Sequence, residues 1–251
     1  TSGIYKRRGV FQNTVQKRIC VGVSIFCQSY GYRINKWREI HYERDNYGRT
    51  FQMKENNKFN FVLHRENFLT SEQCDELIQK FDESKPQKSG VAGTYEGSEL
   101  NENVRKVQEV RLKNDVVLSD GFKLTKHIIM ACEMSNLINF KFQLEKPYQL
   151  EDIVLLRYEN TDKYDWHLDI GKNETSVRKI SAIIQLSDEQ DYEGGDFEFS
   201  IANDEGDENY FGTRKKGSLI LFPAFLGHRV RPITKGVRYS IVTWILGDAF
   251  K

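Results

Sequence analysis

In the second half of the chain, short runs rich in β-branched and aromatic residues follow one another, and glycine or proline residues separate them. Such runs predict β-strands, because branched and aromatic side chains pack well on a pleated sheet and turn residues end each strand. Strands this short and this closely spaced favour a β-sandwich or a jelly roll. The predicted strands are DIVLLRYE, YDWHLDI, VRKISAIIQLS, GGDFEFSI, GSLILFP, GHRVRPI and GVRYSIVTWIL.

Two helices are predicted before these strands. The segment SEQCDELIQKF (71–81) has apolar residues at the spacing of one helix face, and Thr70 or Ser71 is a suitable N-cap. A second helix is predicted over about residues 121–139, with a core-facing stripe that ends at Leu137 or Ile138. Helices followed by many short strands predict a mainly β domain of the α+β class, in which the helices pack on one sheet.

Charge is distributed unevenly along the 251 residues. Residues 1–58 contain twelve Lys or Arg and four Asp or Glu, whereas the remaining residues contain 25 and 32. This shift predicts a basic N-terminal extension of unknown role (1–58) attached to one domain (59–251). The basic residues lack the clustering of a nucleic-acid-reading helix, so the pattern favours a solvated structural extension, and nucleic acid is not an expected partner.

Cysteine usage and hydropathy bear on the compartment. The cysteines are Cys20, Cys27, Cys74 and Cys132. Because none forms a CxxC pair, they are typical of isolated thiols in a reducing compartment, which predicts a cytoplasmic location. No apolar run approaches the ~20 residues that cross a bilayer, so no membrane partner is expected. The segment ICVGVSIFC (19–27) lacks the cleavage site of a secretory signal and favours a buried strand.

The stretch RYENTDKYDWHLDIGKN (157–173) places His167 and Asp169 one residue apart, in a run with the pattern of a strand. Residues i and i+2 of a strand project from the same face, so the imidazole and the carboxylate are expected side by side. Such a pair is either an ordinary hydrogen-bonded pair, which is the commoner case, or two thirds of a metal site.

A third candidate ligand is His228, in LFPAFLGHRVRP at the start of another predicted strand. There His228 and Val230 are expected to point inward, with Arg229 and Arg231 on the solvent side. A lone histidine is more often packed in a core than bound to metal. Two histidines and one carboxylate together, however, form the ligand set that suits Fe(II) and leaves coordination positions open.

Arg238 begins the predicted strand RYSIVTWIL, ten residues after His228. Alternation places Ser240, Val242 and Trp244 on the same face as Arg238. An arginine in an apolar strand is costly without a counter-anion. A dicarboxylate cosubstrate would supply that anion, since a guanidinium binds a carboxylate through two hydrogen bonds; a salt bridge to an internal Asp or Glu is the alternative.

These segments resemble the catalytic core of the Fe(II)/2-oxoglutarate-dependent oxygenases over about residues 150–247, and most of all the prolyl 4-hydroxylases and the bacterial PKHD-type hydroxylases. That family pattern has tyrosines nine and three residues before the first histidine and a Gly-Gly-acidic-hydrophobic turn. It also has an arginine or lysine about ten residues after the distal histidine and a tryptophan six further on. The matching residues here are Tyr158, Tyr164, Gly194 to Phe197, Arg238 and Trp244.

The resemblance implies a double-stranded β-helix, which is a cupin-like jelly roll. It implies that His167, Asp169 and His228 are the catalytic ligands of Fe(II), and that Arg238 binds the distal carboxylate of 2-oxoglutarate. The other residues implied at the cosubstrate pocket are Tyr158, Ser181, Ile183, Gln185 and Ser240.

Three of the aromatic and amide positions keep alternatives open. Many relatives have an aromatic residue at the place of Gln185, whose amide would bind either a carboxylate or a strand-end carbonyl. Tyr164 is as well suited to the core as to the site. Trp244 is expected to pack as a wall near the metal, the alternative being a part in the chemistry.

The activity implied by the resemblance is hydroxylation of an unactivated C–H, with O₂ as a reactant and succinate and CO₂ as products. The expected substrate is a prolyl residue in a peptide or protein, and L-ascorbate is an implied auxiliary cofactor. The alternatives are a hydroxylase of a free amino acid or other small molecule, a non-catalytic cupin-like metal-binding module, and a zinc hydrolase. Arg238 argues against the last two, which have no need of a dicarboxylate anchor.

Two polar segments remain. Residues 84–103 have no periodicity and contain many loop-forming residues, so they are either a lid over the substrate or a plain surface loop. The acidic stretch 188–209 is expected to be a solvated turn region rather than a docking surface for basic peptides.

Overall fold

The computed structural model describes the backbone at residues 17–27, 32–44, 50–52, 60–89, 91–94, 97–99, 101–113, 115–144, 146–201 and 210–250, and the side chains of these residues from 60 onward, except at 91–94 and 97–99. The chain divides into two units, residues 1–58 and residues 59–251. The first unit contains an antiparallel sheet of β1 (Lys17–Cys27), β2 (Tyr32–Arg44) and β3 (Thr50–Gln52). The strand predicted at 19–27 is confirmed, whereas its burial and the solvation of the extension lie outside the described side chains.

The second unit begins with β4 (Leu63–Arg65), α1 (Ser71–Asp82), β5 (Gln87–Lys88), β6 (Val91–Thr94), β7 (Gly97–Glu99), β8 (Arg105–Lys106), β9 (Gln108–Leu112) and α2 (Leu124–Ser135). It continues with β10 (Gln149–Leu150), β11 (Ile153–Glu159), β12 (Lys163–His167), β13 (Arg178–Gln185), β14 (Tyr192–Gly194), β15 (Phe197–Phe199), β16 (Tyr210–Phe211), β17 (Leu219–Pro223), β18 (His228–Val230) and β19 (Ile233–Leu246). Each of the seven strands predicted between residues 152 and 246 is therefore present.

Helix α1 starts at a capping box, because Thr70 and Gln73 satisfy each other's backbone N–H groups. The Thr70 hydroxyl accepts a hydrogen bond from the Gln73 amide at 3.2 Å, and the Gln73 side chain accepts one from the Thr70 amide at 3.0 Å. Cys74, Leu77 and Phe81 are buried on the inner face of the helix. The prediction for this helix is confirmed, with Thr70 as the cap.

Thr70→Ala is expected to lower the free energy of unfolding by about 1 kcal/mol, the usual loss for an N-cap hydroxyl. Urea unfolding followed by circular dichroism measures this loss. Ser71→Ala is the matched control, because Ser71 is exposed at the first helical position and no cap bond uses its hydroxyl. An equal loss in both variants would contradict the capping role of Thr70.

Helix α2 is shorter than predicted, because residues Asn136–Phe140 form a π-helical turn. One additional residue per turn rotates the following side chains out of register with the core face. Leu137 and Ile138, one of which was predicted to end the core-facing stripe, are instead 59% and 43% exposed. Asn136 is buried in their place, and its side chain bonds both the N–H and the C=O of Phe142 at 2.8 and 2.9 Å.

Two antiparallel sheets form the body of the second unit. The larger has the strand order β4-β17-β13-β19-β11-β9-β5, with β10 and β14 also pairing with β19. The smaller has the order β16-β15-β18-β12-β8. An apolar cluster contains side chains of both sheets, among them Ile183 and Val242 from the larger and Phe199 and Val230 from the smaller. The two sheets therefore enclose a common interior, as the predicted jelly roll requires.

A second apolar cluster forms on the other face of the larger sheet. It joins Leu77 of α1 and Ile128 of α2 to Ile184 of β13 and Ile241 of β19. The prediction that helices pack on one sheet is confirmed. None of the helices in the described part of the chain has the length and apolar character that crossing a bilayer requires.

Two segment predictions need correction. Residues 84–103 are not without regular structure, since they contain β5 and the pair β6–β7. In the acidic stretch, residues 202–209 lie outside the described part of the chain, and the rest is not uniformly solvated. Glu198 is fully buried and accepts hydrogen bonds from Arg229 at 2.6 Å and from Arg231 at 2.7 Å. Arg229 of β18 and Arg231, which follows this strand, lie on the side away from His228, as predicted, and pair there with the Glu198 carboxylate.

Candidate active site

A cavity of about 150 Å³ lies over the middle of the larger sheet. The floor of the cavity consists of residues that the strand register places side by side. Val242 of β19 lies opposite Val154 of β11 on one side and opposite Ile183 of β13 on the other. Two residues further along β11, Leu156 lies opposite Ser240 of β19. The face predicted for β19 is confirmed, since the cavity is lined by Arg238, Ser240, Val242 and Trp244.

His167 and His228 face each other across two strands of the smaller sheet. His167 is the last residue of β12, His228 is the first residue of β18, and the register pairs them directly. Asp169 does not lie on β12, which corrects the prediction that strand alternation places it beside His167. The chain instead turns after His167, and the N–H of Asp169 donates to the carbonyl of Ala224 at 3.0 Å, in the turn that leads to His228.

The three side chains nevertheless meet. The distance from His167 Nε2 to Asp169 Oδ1 is 3.7 Å, and that from His228 Nε2 to Asp169 Oδ2 is 3.6 Å. One ligand atom from each residue lies within 4.8 Å of the other two. The hydroxyl of Ser181 donates to Asp169 Oδ2 at 2.6 Å. Ser181 therefore contacts the carboxylate, and it is not among the cavity-lining residues where it was expected.

Backbone carbonyls determine which nitrogen of each imidazole is free. Nδ1 of His167 lies 2.7 Å from the carbonyl of Asp165, and Nδ1 of His228 lies 2.8 Å from that of Leu226. A carbonyl only accepts hydrogen bonds, so each Nδ1 carries a proton, and Nε2, which lies toward Asp169, is the nitrogen of each ring available to a metal. This is the arrangement in which a neutral imidazole binds a metal.

Burial and proximity set the charges of these groups. Burial, assisted by His228, lowers the pKa of His167 to about 3, so its imidazole is neutral at pH 7. Burial opposes ionisation of Asp169, but His228, His167 and the Ser181 hydroxyl outweigh it and hold the pKa of Asp169 below its usual value. A negative carboxylate beside the neutral imidazole of His167 suits a divalent cation, which binds deprotonated ligands.

In the metal-free protein, the free energy of unfolding is expected to fall as the pH is lowered from about 6.5 toward 3. The pKa of His167 is about 3 in the folded protein, against 6.5 for the free side chain, so in this window only the unfolded chain takes up the proton. Urea unfolding at several pH values, with a chelator present, measures the decline. His167→Gln lacks this proton uptake and should show a shallower decline; parallel curves would contradict the assignment.

Arg238 is the largest fully buried side chain among the described residues. Its guanidinium donates to Ser240 Oγ at 3.2 Å and to Gln185 Oε1 at 2.9 Å, and its Nε has no partner. Both partners are neutral, and among the described residues no carboxylate lies within ion-pair distance of it. The internal salt bridge considered as an alternative is therefore absent from the described part of the chain, where no other counter-anion faces this buried cation.

The remaining predicted residues surround Arg238. Gln185 uses its amide N–H to bond the carbonyl of Thr213 at 3.0 Å, which is the second of the two roles considered for it. Ile183 and Tyr158 line the cavity, and the Tyr158 ring centre lies 5.3 Å from the Arg238 guanidinium. Burial raises the pKa of Tyr158, so its phenol stays protonated and able to donate. Tyr164 also lines the cavity, and its ring stacks on His167 with 3.4 Å between centroids.

Several cavity residues were missed by sequence reasoning. Arg178 lies over the Trp244 ring at 3.6 Å and forms two hydrogen bonds with Glu151. Charged side chains of β8 and β9 also reach the cavity. The sequence signal for them is VRKVQEVRL (104–112), in which Arg105, Glu109 and Arg111 have the spacing of residues on one face of a strand.

Residues 153–246, which contain the three converging ligands and Arg238, match the family model of the 2OG-Fe(II) oxygenase superfamily. This part of the chain belongs to that superfamily. Membership implies Fe(II) and 2-oxoglutarate as cofactors of the oxygenase domain.

Curated relatives carry the name PKHD-type hydroxylase. One from Synechococcus sp. (strain JA-2-3B'a(2-13)) is 34% identical over 125 residues, which are 48% of this chain and 53% of that protein. PKHD-type hydroxylase YbiX of Escherichia coli O17:K52:H18 (strain UMN026 / ExPEC) is 32% identical over 113 residues, 41% of this chain and 47% of that one. The chain thus spans about half the length of these relatives.

Solved structures agree on the fold of the oxygenase domain. A Pseudomonas putida prolyl-4-hydroxylase superposes with a TM-score of 0.55 at 19% identity, covering 74% of this chain and 92% of that one. A Trichoplax adhaerens prolyl hydroxylase in complex with a hypoxia inducible factor oxygen degradation domain peptide fragment has a TM-score of 0.56 at 16% identity, covering 74% and 84%. The domain therefore has the double-stranded β-helix that was predicted.

Proposed function

We propose that the protein is an Fe(II)- and 2-oxoglutarate-dependent dioxygenase that hydroxylates an unactivated C–H, in a prolyl residue of a peptide or protein, and releases succinate and CO₂. The observation that carries the proposal is the position of Arg238, a buried guanidinium with only neutral partners, in the same cavity as two histidines and a carboxylate. A site that holds only a metal has no use for such a cation.

In this proposal His167, Asp169 and His228 hold the iron through the two Nε2 atoms and a carboxylate oxygen. The fit rests on the ligand atoms lying within 4.8 Å of one another and on both Nδ1 protons being committed to carbonyls. When bound, iron and 2-oxoglutarate together supply the activation of O₂ that C–H hydroxylation requires. Ser181 orients the carboxylate by donating to one of its oxygens.

The other cavity residues bind and shield the cosubstrate. Arg238 is proposed to bind the distal carboxylate of 2-oxoglutarate, with Ser240 and the Tyr158 phenol as additional donors. Val154, Ile183 and Val242 supply an apolar floor that excludes water from the reacting groups. No side chain is assigned as a general acid or base, in keeping with an oxygenase and against a zinc hydrolase.

The prolyl substrate is supported by the relatives. Two structural neighbours are named prolyl hydroxylases, and one of them is in complex with a peptide fragment. Hydroxylation of a free amino acid or another small molecule is the second candidate, because the cofactor site does not select the substrate. L-ascorbate as an auxiliary reductant and a cytoplasmic location belong to this proposal, the latter supported by the free buried thiols Cys74 and Cys132.

The test is conversion of 2-oxoglutarate to succinate by the purified protein with Fe(II), with and without ascorbate and a proline-containing peptide. We expect Fe(II)-dependent succinate formation that the peptide stimulates, with one oxygen atom added to the peptide in its mass spectrum. Succinate stimulated by a free amino acid instead would support the second candidate. Absence of succinate under all conditions would overturn the proposed function.

A further inference from the structure

Strands β8 and β9 bring three charged side chains to the cavity that contains the triad. The cavity is lined by Arg105, Glu109 and Arg111, which are four and two residues apart and so share one face. The opposite face of β9 carries Val110 and Leu112, which pack on the apolar cluster under the helices. The proposed reaction assigns no role to these three residues, which we call the charged wall.

The charged wall lies at the side of the cavity floor, within reach of a substrate. In β9, Arg111 lies opposite Val154 and Glu109 lies opposite Leu156, which in turn lies opposite Ser240 of β19. With about 4.8 Å between neighbouring strands, the backbone of Glu109 is roughly 10 Å from that of Ser240. A substrate group that enters beside the cosubstrate can therefore meet the wall.

Arg105 connects the wall to the triad. Its guanidinium carbon lies 4.6 Å from the centre of the Tyr164 ring, and Tyr164 stacks on His167 with 3.4 Å between centroids. One aromatic ring thus separates the wall from a proposed metal ligand.

Within the wall, one carboxylate serves two guanidinium groups. Glu109 accepts hydrogen bonds from the Ser89 hydroxyl and from Arg111 Nε at 2.9 Å, and it lies 3.6 Å from Arg105. Both carboxylate oxygens therefore have a partner within the protein. The terminal nitrogens of Arg111 have no partner among the described residues, and half of its side chain is exposed.

The cavity as a whole carries excess positive charge. Its described lining includes four arginines, at 105, 111, 178 and 238, against the two carboxylates Asp169 and Glu109. Arg178 is paired with Glu151 outside the lining, so three arginines remain against these two carboxylates. Fe(II) and 2-oxoglutarate have equal and opposite charges, so loading both leaves this excess unchanged. A substrate with a negative group near its reacting carbon complements such a cavity.

We propose that the charged wall, with Arg111 as its principal donor, binds a carboxylate of the substrate. An acidic side chain next to the reacting residue of a peptide would supply that group, and so would the α-carboxylate of a free amino acid. A guanidinium binds either through the same two hydrogen bonds. This proposal rests on the proposed oxygenase function, because it concerns the substrate of that site.

The test is calorimetric titration under anaerobic conditions with Fe(II) and 2-oxoglutarate present, so that binding is measured without turnover. Two matched pairs of probes differ by one carboxylate: acetyl-Glu-Pro-Gly amide against acetyl-Gln-Pro-Gly amide, and L-proline against L-prolinamide. In at least one pair the acid should bind about tenfold more tightly than the amide, the difference expected for a hydrogen-bonded charge. The pair that discriminates identifies the source of the carboxylate.

Three variants make the assignment specific. Arg111→Gln should remove the preference for the acid, whereas Arg65→Gln, which removes the same charge from β4 outside the cavity lining, should keep it. Glu109→Gln should strengthen binding of the acid, because it removes the carboxylate that pairs with Arg111 and competes with the substrate. Loss of a merely structural contact would not strengthen binding.

Equal binding of acid and amide in both pairs, or a preference that survives Arg111→Gln, would overturn the proposal. Failure of the oxygenase function is recognised separately, by the absence of succinate in the turnover assay. The titration still decides the role of the wall in that case, because it requires no turnover.

Discussion

Asp169→Ala is expected to abolish Fe(II)-dependent succinate formation and to weaken Fe(II) binding by at least about 100-fold. Loss of a hydrogen bond to a metal ligand already weakens binding by about 10- to 100-fold, and this variant removes the ligand itself. Asp169 is the only carboxylate of the triad, and its pKa is held below the usual value, so it supplies the negative charge at neutral pH. Anaerobic Fe(II) titration and the succinate assay measure the two effects.

Asp165→Ala is the matched control for this variant. Asp165 lies in β12 two residues before His167, but its side chain is about half exposed and its contact to His167 is through the backbone carbonyl, which alanine keeps. The control should bind Fe(II) and form succinate like the unaltered protein. Full turnover by Asp169→Ala would remove Asp169 from the proposed metal site.

The face of β19 that carries Arg238 was predictable, because alternation along a strand depends only on residue spacing. The same rule gave the correct inward side for His228 and Val230. It succeeded in both places because the residues concerned lie within β18 and β19 as these strands form, although β18 is shorter than predicted. It failed at Asp169, because β12 ends at His167 and the chain turns toward Ala224. The spacing of residues within one segment does not reveal a hydrogen bond to a distant turn, such as the one from Asp169 to Ala224 just after the end of β12.

The pairing of His167 with His228 was beyond sequence reasoning for a related reason. A period of two assigns a side chain to a face, whereas the partner strand and its register depend on the whole sheet. The π-helical turn at Asn136–Phe140 is a similar case, since the buried Asn136 contacts that accompany it are tertiary. Ser181 was assigned to the right face but to the wrong partner, because its neighbour Asp169 arrives from another segment.

Arg238→Met is expected to raise the 2-oxoglutarate concentration needed for half-maximal rate by about 100-fold or more. Two hydrogen bonds to a charged group contribute about 1.5–3 kcal/mol each, and each 1.4 kcal/mol corresponds to a tenfold change in affinity. Fe(II) affinity should stay unchanged, since Arg238 contacts Ser240 and Gln185 and none of the triad. Succinate formation as a function of 2-oxoglutarate and Fe(II) concentration separates the two effects.

A stability measurement tests the same residue without turnover. The unaltered protein buries an uncompensated cation, and an apolar side chain of similar length removes that cost, so Arg238→Met without ligand should unfold at no lower temperature. Added 2-oxoglutarate should raise the unfolding temperature of the unaltered protein and of Lys235→Ala, an exposed control in β19, but not of Arg238→Met. Binding of 2-oxoglutarate at the buried guanidinium requires Arg238. Equal stabilisation of all three proteins would therefore show that the dicarboxylate binds elsewhere.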